Sequence, residues 1–166
     1  MNIEQLLHEY NRGDRNFSAI NLNGADLSTH TLTGIDLSRT DLSNANLADA
    51  NLTRANLANA NLVNADLRGA DLSGATLAGA SFVGAFLQGA NFVGCNLTGA
   101  DMRAADLEGA DLRGANLTQA DVAGANFRQV NLSSACLDGV DLESFNLQET
   151  NLPQSSPYRN ALFGQS

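Results

Sequence analysis

The chain has no tryptophan and no lysine, only two cysteines and two prolines, and aromatic residues make up just 5% of it. Each shortage excludes something. The β-branched apolar residues that usually build strands are scarce as well. Two cysteines, Cys95 and Cys136, are too few for a disulfide or metal framework. No apolar run approaches the roughly 20 residues that cross a bilayer. The opening MNIEQLLHEYNRGDR lacks a basic start followed by an apolar core, so no secretory leader is expected and the cytoplasm is the expected location. Nine arginines stand against 18 acids, for a net charge of −9. That sign argues against direct binding to nucleic acid or to an anionic membrane and permits a basic protein partner.

What the 166 residues do contain is leucine and alanine in a fixed rhythm. Stepping by five from Phe17 to Leu152 visits 28 positions, of which 22 are Leu and the rest Phe17, Phe82, Phe92, Phe127, Met102 and Val122. Two residues before these centres, 18 of 28 positions are Ala; one before, 23 of 28 are Asn or Asp. On an α-helix a step of five would spread the leucines around every side, and on a flat strand it would alternate them between faces. One shared interior therefore requires a bend in every pentad. Thirteen of the 15 glycines lie two residues after a centre, the third position of a type II turn. Asn44, Asp49, Asn59 and Asn64 suit that position next best, whereas Thr29, Arg39, Arg54 and Gln129 suit it poorly. A mixture of turns is expected, with the non-glycine positions avoiding positive φ.

The A(N/D)LXX pattern, in register from residue 15 to 152, resembles the pentapeptide-repeat family. The resemblance implies an all-β solenoid: a right-handed quadrilateral parallel β-helix with four pentads per coil, hence about seven coils and a rod about 34 Å long at the spacing of paired strands. The opening LLHEYNRGDRNFSAINL is similar to the start of cyanobacterial members of that family, a regulator of heterocyst differentiation among them.

The ends break the rhythm. Ile3, Leu6, Leu7 and Tyr10 share one stripe at helical spacing with Gly13 beyond them, which predicts a capping helix within residues 1–14. The rod follows over 15–152 and a tail over 153–166. Ile20, His30, Ile35, Val130, Val140 and Phe145 replace inward alanines near the ends and read as plugs over the terminal coils. In the tail, Tyr158, Leu162 and Phe163 can fold back over the last coil or dock on a second copy. A monomer is expected, with dimerisation through this end as the alternative.

Few residues suggest chemistry. His8 and His30 stand in no metal-ligand spacing and read as cap histidines, Cys95 as an alanine substitute, and Cys136 as an exposed thiol about 10 Å from Cys95. A solenoid without long loops has nowhere to build a cleft, so neither catalysis nor a cofactor is expected. The exterior remains. Asp101, Asp121 and Asp141 stack in one column, and residues 101–149 carry nine acids against Arg103, Arg113 and Arg128. Phe86 stands where Asn or Asp is expected, with Val63 and Val83 nearby. The acids can equally be a solvated face, and Phe86 a stray surface residue. The expected function is a non-catalytic, regulatory protein-binding scaffold with an acidic rigid surface. The alternative is a DNA-mimicking modulator of a type II topoisomerase or another DNA-binding enzyme, as the resemblance implies for quinolone-resistance members, although this chain lacks their projecting loops.

Overall fold

The computed structural model describes residues 1–143 and 147–159. The chain opens with helix α1, Ile3–Asn11. Its start is fixed by Asn2, whose side chain accepts the Gln5 N–H at 2.8 Å, with Glu4 in the positive first turn. Gly13, at φ 110°, turns the chain away from the helix. The inner stripe is Leu6, fully buried, and Tyr10, nearly so, with Ile3 and Leu7 packed partly against the core. Tyr10 Oη donates to the Thr33 carbonyl at 2.8 Å, and the Arg15 guanidinium lies 4.0 Å from the centre of the Tyr10 ring.

From Asn16 onward the backbone makes isolated parallel bridges, each joining residues 20 apart, such as Asn46 to Asp66 and Asp66 to Phe86. Four pentads therefore complete one circuit. The pentad around Leu47 shows how the polar backbone is satisfied. Leu47 N–H donates to Asp66 O at 2.7 Å and Asp49 N–H to Arg68 O at 2.9 Å in the next coil, while Asn46 N–H donates back to Ala25 O at 2.8 Å. Ala50 N–H closes the turn on Leu47 O at 3.1 Å. The remaining donor, Ala48 N–H, reaches the Asn46 side-chain oxygen at 3.1 Å. Every N–H from residue 46 to 50 thus has a partner, as a buried or half-buried backbone requires.

The turns differ from the expected mixture. Thr29, Arg39, Arg54 and Gln129 all have positive φ, between 57° and 61°, alongside the glycines. The cause is the stacking. Arg54 N–H donates to Ser73 O at 2.9 Å, as Gly74 N–H does to Val93 O at 2.9 Å one coil above. A different turn in one coil would aim this donor away from the next coil. The left-handed conformation costs a non-glycine residue about 1–2 kcal/mol, and register is kept at that expense.

The leucines fill the interior, with the alanine positions from 45 to 125 packed beside them at no more than 4% exposure. Phe82 and Phe92 meet edge to face across the interior, centroids 6.1 Å apart and planes at 83°. Toward the ends Ile35, Val130 and Val140 are buried, whereas Ile20 and His30 in the first coil stay half-buried. At the other end Leu152 is buried, Tyr158 packs partly against the core, and Arg159 Nη1 donates to Leu152 O at 3.2 Å. Phe145, Leu162 and Phe163, expected as plugs, lie outside the described residues.

Candidate protein-interaction surface

The Asn/Asp position is a structural cap first and a displayed side chain second. At pentad after pentad its Oδ1 accepts the N–H two residues on, as Asn91 does from Val93 at 3.0 Å and Asp121 from Ala123 at 3.1 Å. This is a short Asx turn, and it explains why Asn and Asp interchange there while other residues rarely enter.

Phe86 breaks that rule. It is bridged between Asp66 and Asp106 like any other residue of its column, yet its ring offers no acceptor to Gln88 N–H and is 47% exposed. Among the described residues the other exposed large hydrophobic side chain is Met1, at the terminus. Val63 and Val83, both half-buried, occupy the corner entering this face in successive coils, where Asn64 N–H donates to Val83 O at 3.0 Å.

The surroundings of the ring are ordered and polar. Above it, Asp106 accepts from Gln88 Nε2 at 2.7 Å, Asn126 Nδ2 at 3.0 Å and Glu108 N–H at 3.1 Å. Gln88 Oε1 is buried without a hydrogen-bond partner, as is Arg128 Nε two coils on along the same face. Below the ring, Arg68 holds Asp66 through Nε at 2.9 Å and Nη2 at 2.6 Å. These bonds hold the Asp66 carboxyl below the usual aspartate range. Asp106, by contrast, is met by neutral amides, and among the described residues no salt bridge is made to it.

The acidic column is more compensated than its composition suggests. Bridges run from Asn21 through Asp41, Asn61, Ser81 and Asp101 to Asp121, and none joins Asp121 to Asp141 among the described residues. Arg103 pairs with Asp101 at 2.7 Å and reaches Asp121 at 3.8 Å. Arg113 pairs with Asp111 at 2.7 Å, and Arg128 lies 3.9 Å from Glu108. Hydrogen bonds from these arginines keep Asp101 and Asp111 below the ordinary aspartate range. Nine acids against three arginines still leave residues 101–149 at a net −6.

Cys95 is buried, its Sγ 2.8 Å from Leu72 O, and burial pushes the thiol up to about 12. Cys136 is half-buried rather than exposed, because Thr118 Oγ1 from the coil below lies 3.3 Å from its Sγ. Both thiols are free. His30 Nδ1 lies 2.8 Å from Ser28 O, which places the proton on Nδ1, and His8 is exposed on α1. No cluster of three or more His, Cys, Asp or Glu able to hold a metal occurs among the described residues. Nor is any helix there long and apolar enough to cross a membrane. Two inward residues had no sequence-based assignment: Thr40 and Thr150, whose hydroxyls donate to the carbonyls of Phe17 at 3.1 Å and Phe127 at 2.6 Å. Their polar side chains in an alanine position were the available signal.

No curated protein matches the sequence significantly. Among solved structures the chain is similar to HetL of Nostoc sp., a pentapeptide repeat protein involved in heterocyst differentiation regulation, at 28% identity over 94% of this chain and 99% of that one, TM-score 0.30. It is similar to the pentapeptide repeat protein Rfr23 of Cyanothece at 28% identity over 89% and 99%, TM-score 0.45. It is similar to QnrB1, a plasmid-mediated fluoroquinolone resistance protein, at 21% identity over 88% and 84%, TM-score 0.40. The family model described as pentapeptide repeats matches residues 16–47, 35–74, 70–109 and 110–148, the stretch over which bridges recur every 20 residues. The chain belongs to the pentapeptide-repeat family.

Proposed function

We propose that this protein is a non-catalytic, regulatory scaffold that acts in the cytoplasm as a monomer and binds a protein partner through its rigid acidic exterior. In this reading residues 1–14 cap a right-handed rod of about seven coils over 15–152, and 153–166 close the far end. Leu6, Leu7, Tyr10 and His30 serve the first cap; Phe145, Leu162 and Phe163 serve the second.

The observation that carries the reading is Phe86. A phenylalanine there forfeits an Asx cap that most pentads keep, and exposes nearly half of an apolar ring. A residue that breaks a local rule of the repeat is where function is expected to reside. Val63 and Val83 extend the apolar contact, and Asp101, Asp121 and Asp141 supply charge on the adjoining face. The uncompensated carboxylate of Asp106 beside the ring suits a partner that brings an apolar or guanidinium group with positive charge around it.

Immobilised protein, offered a cyanobacterial extract, should retain one partner. Phe86→Ala should lower that retention at least tenfold, and replacing Asp101, Asp121 and Asp141 by Asn should weaken it in a salt-dependent way. Thr98→Ala, on the opposite face, should leave it unchanged. Retention by all these variants would place the contact elsewhere. The net −6 over residues 101–149 favours a second reading, mimicry of DNA toward a type II topoisomerase or another DNA-binding enzyme. A supercoiling assay decides it: undisturbed activity at high protein concentration removes that enzyme as the target.

A further inference from the structure

Carboxylates on this rod almost never stack directly. Along the columns Asp faces Asn, Ser or Phe in the coil above and below, and the described bridges contain one Asp on Asp, Asp101 to Asp121. That pair has Arg103 between its members, 2.7 Å from Asp101 and 3.8 Å from Asp121. The next step of the column sets Asp141 over Asp121, and the residue in the place of Arg103 is Ala123.

Here the ladder opens. Leu117 N–H reaches Cys136 O and Gln119 N–H reaches Asp138 O, both at 2.8 Å. The equivalent bonds from Val122 N–H to Asp141 O, Gly124 N–H to Glu143 O and Asp141 N–H to Ala120 O are not made. Beyond the opening, among the described residues, Gln129 N–H donates to Gln148 O at 3.0 Å and Leu132 N–H to Asn151 O at 2.7 Å. Fraying of a chain end would release everything beyond the opening, whereas this gap is held by ladders on both sides. It forms a cleft of about 260 Å3 lined by Gln119, Asp121, Val122, Gly139 and Asp141 among others.

We infer that this gap is a charge-gated seam: the side of the last coil that bears Asp141 docks on the coil below only when a positive charge, or the loss of one negative charge, separates Asp121 from Asp141. Two carboxylates at strand spacing repel with an energy comparable to the net gain of a ladder hydrogen bond, so one counter-charge decides which wins. Asp101 and Glu143 add negative charge around the seam, and Arg103, committed to Asp101, stands at its lower edge. A neutral amide also suffices elsewhere: Asn61 Nδ2 donates to Asp41 Oδ1 at 3.1 Å, and Asn126 to Asp106 at 3.0 Å, and the ladder is closed at both places.

Amide hydrogen exchange on the full chain tests the seam at single residues. In the unmodified protein Val122 and Gly124 should exchange at least tenfold faster than Leu117 and Gln119. Ala123→Arg and, separately, Asp141→Asn should slow Val122 and Gly124 at least tenfold. Arg103→Gln should speed exchange at Met102 and Ala104, opening the seam one coil earlier, and adding Asp121→Asn should reverse that effect. Circular dichroism of each variant verifies that the rod is formed. Slow exchange at Val122 and Gly124 in the unmodified protein, or no response to both Ala123→Arg and Asp141→Asn, overturns the inference.

Discussion

Tyr10 Oη donates to the carbonyl of Thr33 at 2.8 Å, tying helix α1 to the last corner of the first coil. That carbonyl has no coil beneath it to supply an N–H, so the phenol substitutes for a missing layer. Tyr10→Phe removes the donor, keeps the ring under Arg15, and is expected to lower stability by about 1 kcal/mol. Urea unfolding measures it, and an unchanged midpoint would show that the bond does not hold the cap.

The leucine column predicts a steep size dependence. Leu77 is fully buried in the middle of the rod. Leu77→Ala should cost about 2–5 kcal/mol, because coils stacked at fixed spacing cannot collapse around the void. Leu77→Asp should abolish cooperative unfolding, since no group in that interior can pair a charge. A Leu77→Ala variant within about 0.5 kcal/mol of the parent would mean that the interior repacks, contrary to the ladder constraint.

The corners predict a stabilising change. Thr29 is a β-branched residue at φ 61° with its side chain exposed. Thr29→Gly removes the left-handed penalty while adding the entropy cost of glycine, for an expected net gain of about 0.5 kcal/mol. Thermal unfolding should show a higher midpoint. A lower one would mean that the threonine makes a contact worth more than the backbone strain.

Acid should weaken the rod in a definite window. Arg68, Arg103 and Arg113 hold Asp66, Asp101 and Asp111 below the ordinary aspartate range. A carboxyl whose folded value is depressed contributes stability that is complete above its unfolded value, about pH 4, and is lost as pH falls through the folded value. These pairs are largely exposed, so the effect of each is small and weakens with salt. Urea midpoints should therefore be level from pH 7 to about 5 and fall below about 4, and Arg68→Gln should move the Asp66 titration upward by NMR. An Asp66 titration indifferent to Arg68→Gln would contradict the assigned cause.

Some of this was legible in the residues and some was not. The period of five, the inward leucines, the bend in each pentad and the helix over the first coil all follow from patterns of size and polarity. The Asn/Asp position read as outward display, because a sequence shows which side chain is present but not which backbone donor lacks a partner. The N–H of Ala48, answered only by Asn46, supplies the missing reason. Positive φ at Thr29 and Arg54 was unreadable for a related cause: local preference opposes it, and the coil above enforces it. Thr40 and Thr150 went unassigned, since an inward hydroxyl is tolerable only where a carbonyl lies within reach. Phe86 stood out in both views, as a breach of the repeat and then as an exposed ring.

The most direct measurement restores the repeat at that breach. Phe86→Asn returns the Asx cap to Gln88 and removes the exposed ring, so the rod should become slightly more stable, by about 0.5 kcal/mol, and lose its partner. Partner retention by that variant, set beside its unfolding midpoint, decides the matter. A more stable rod that no longer retains the partner is the predicted result, and a well-folded Phe86→Asn protein that retains it undiminished would contradict the account.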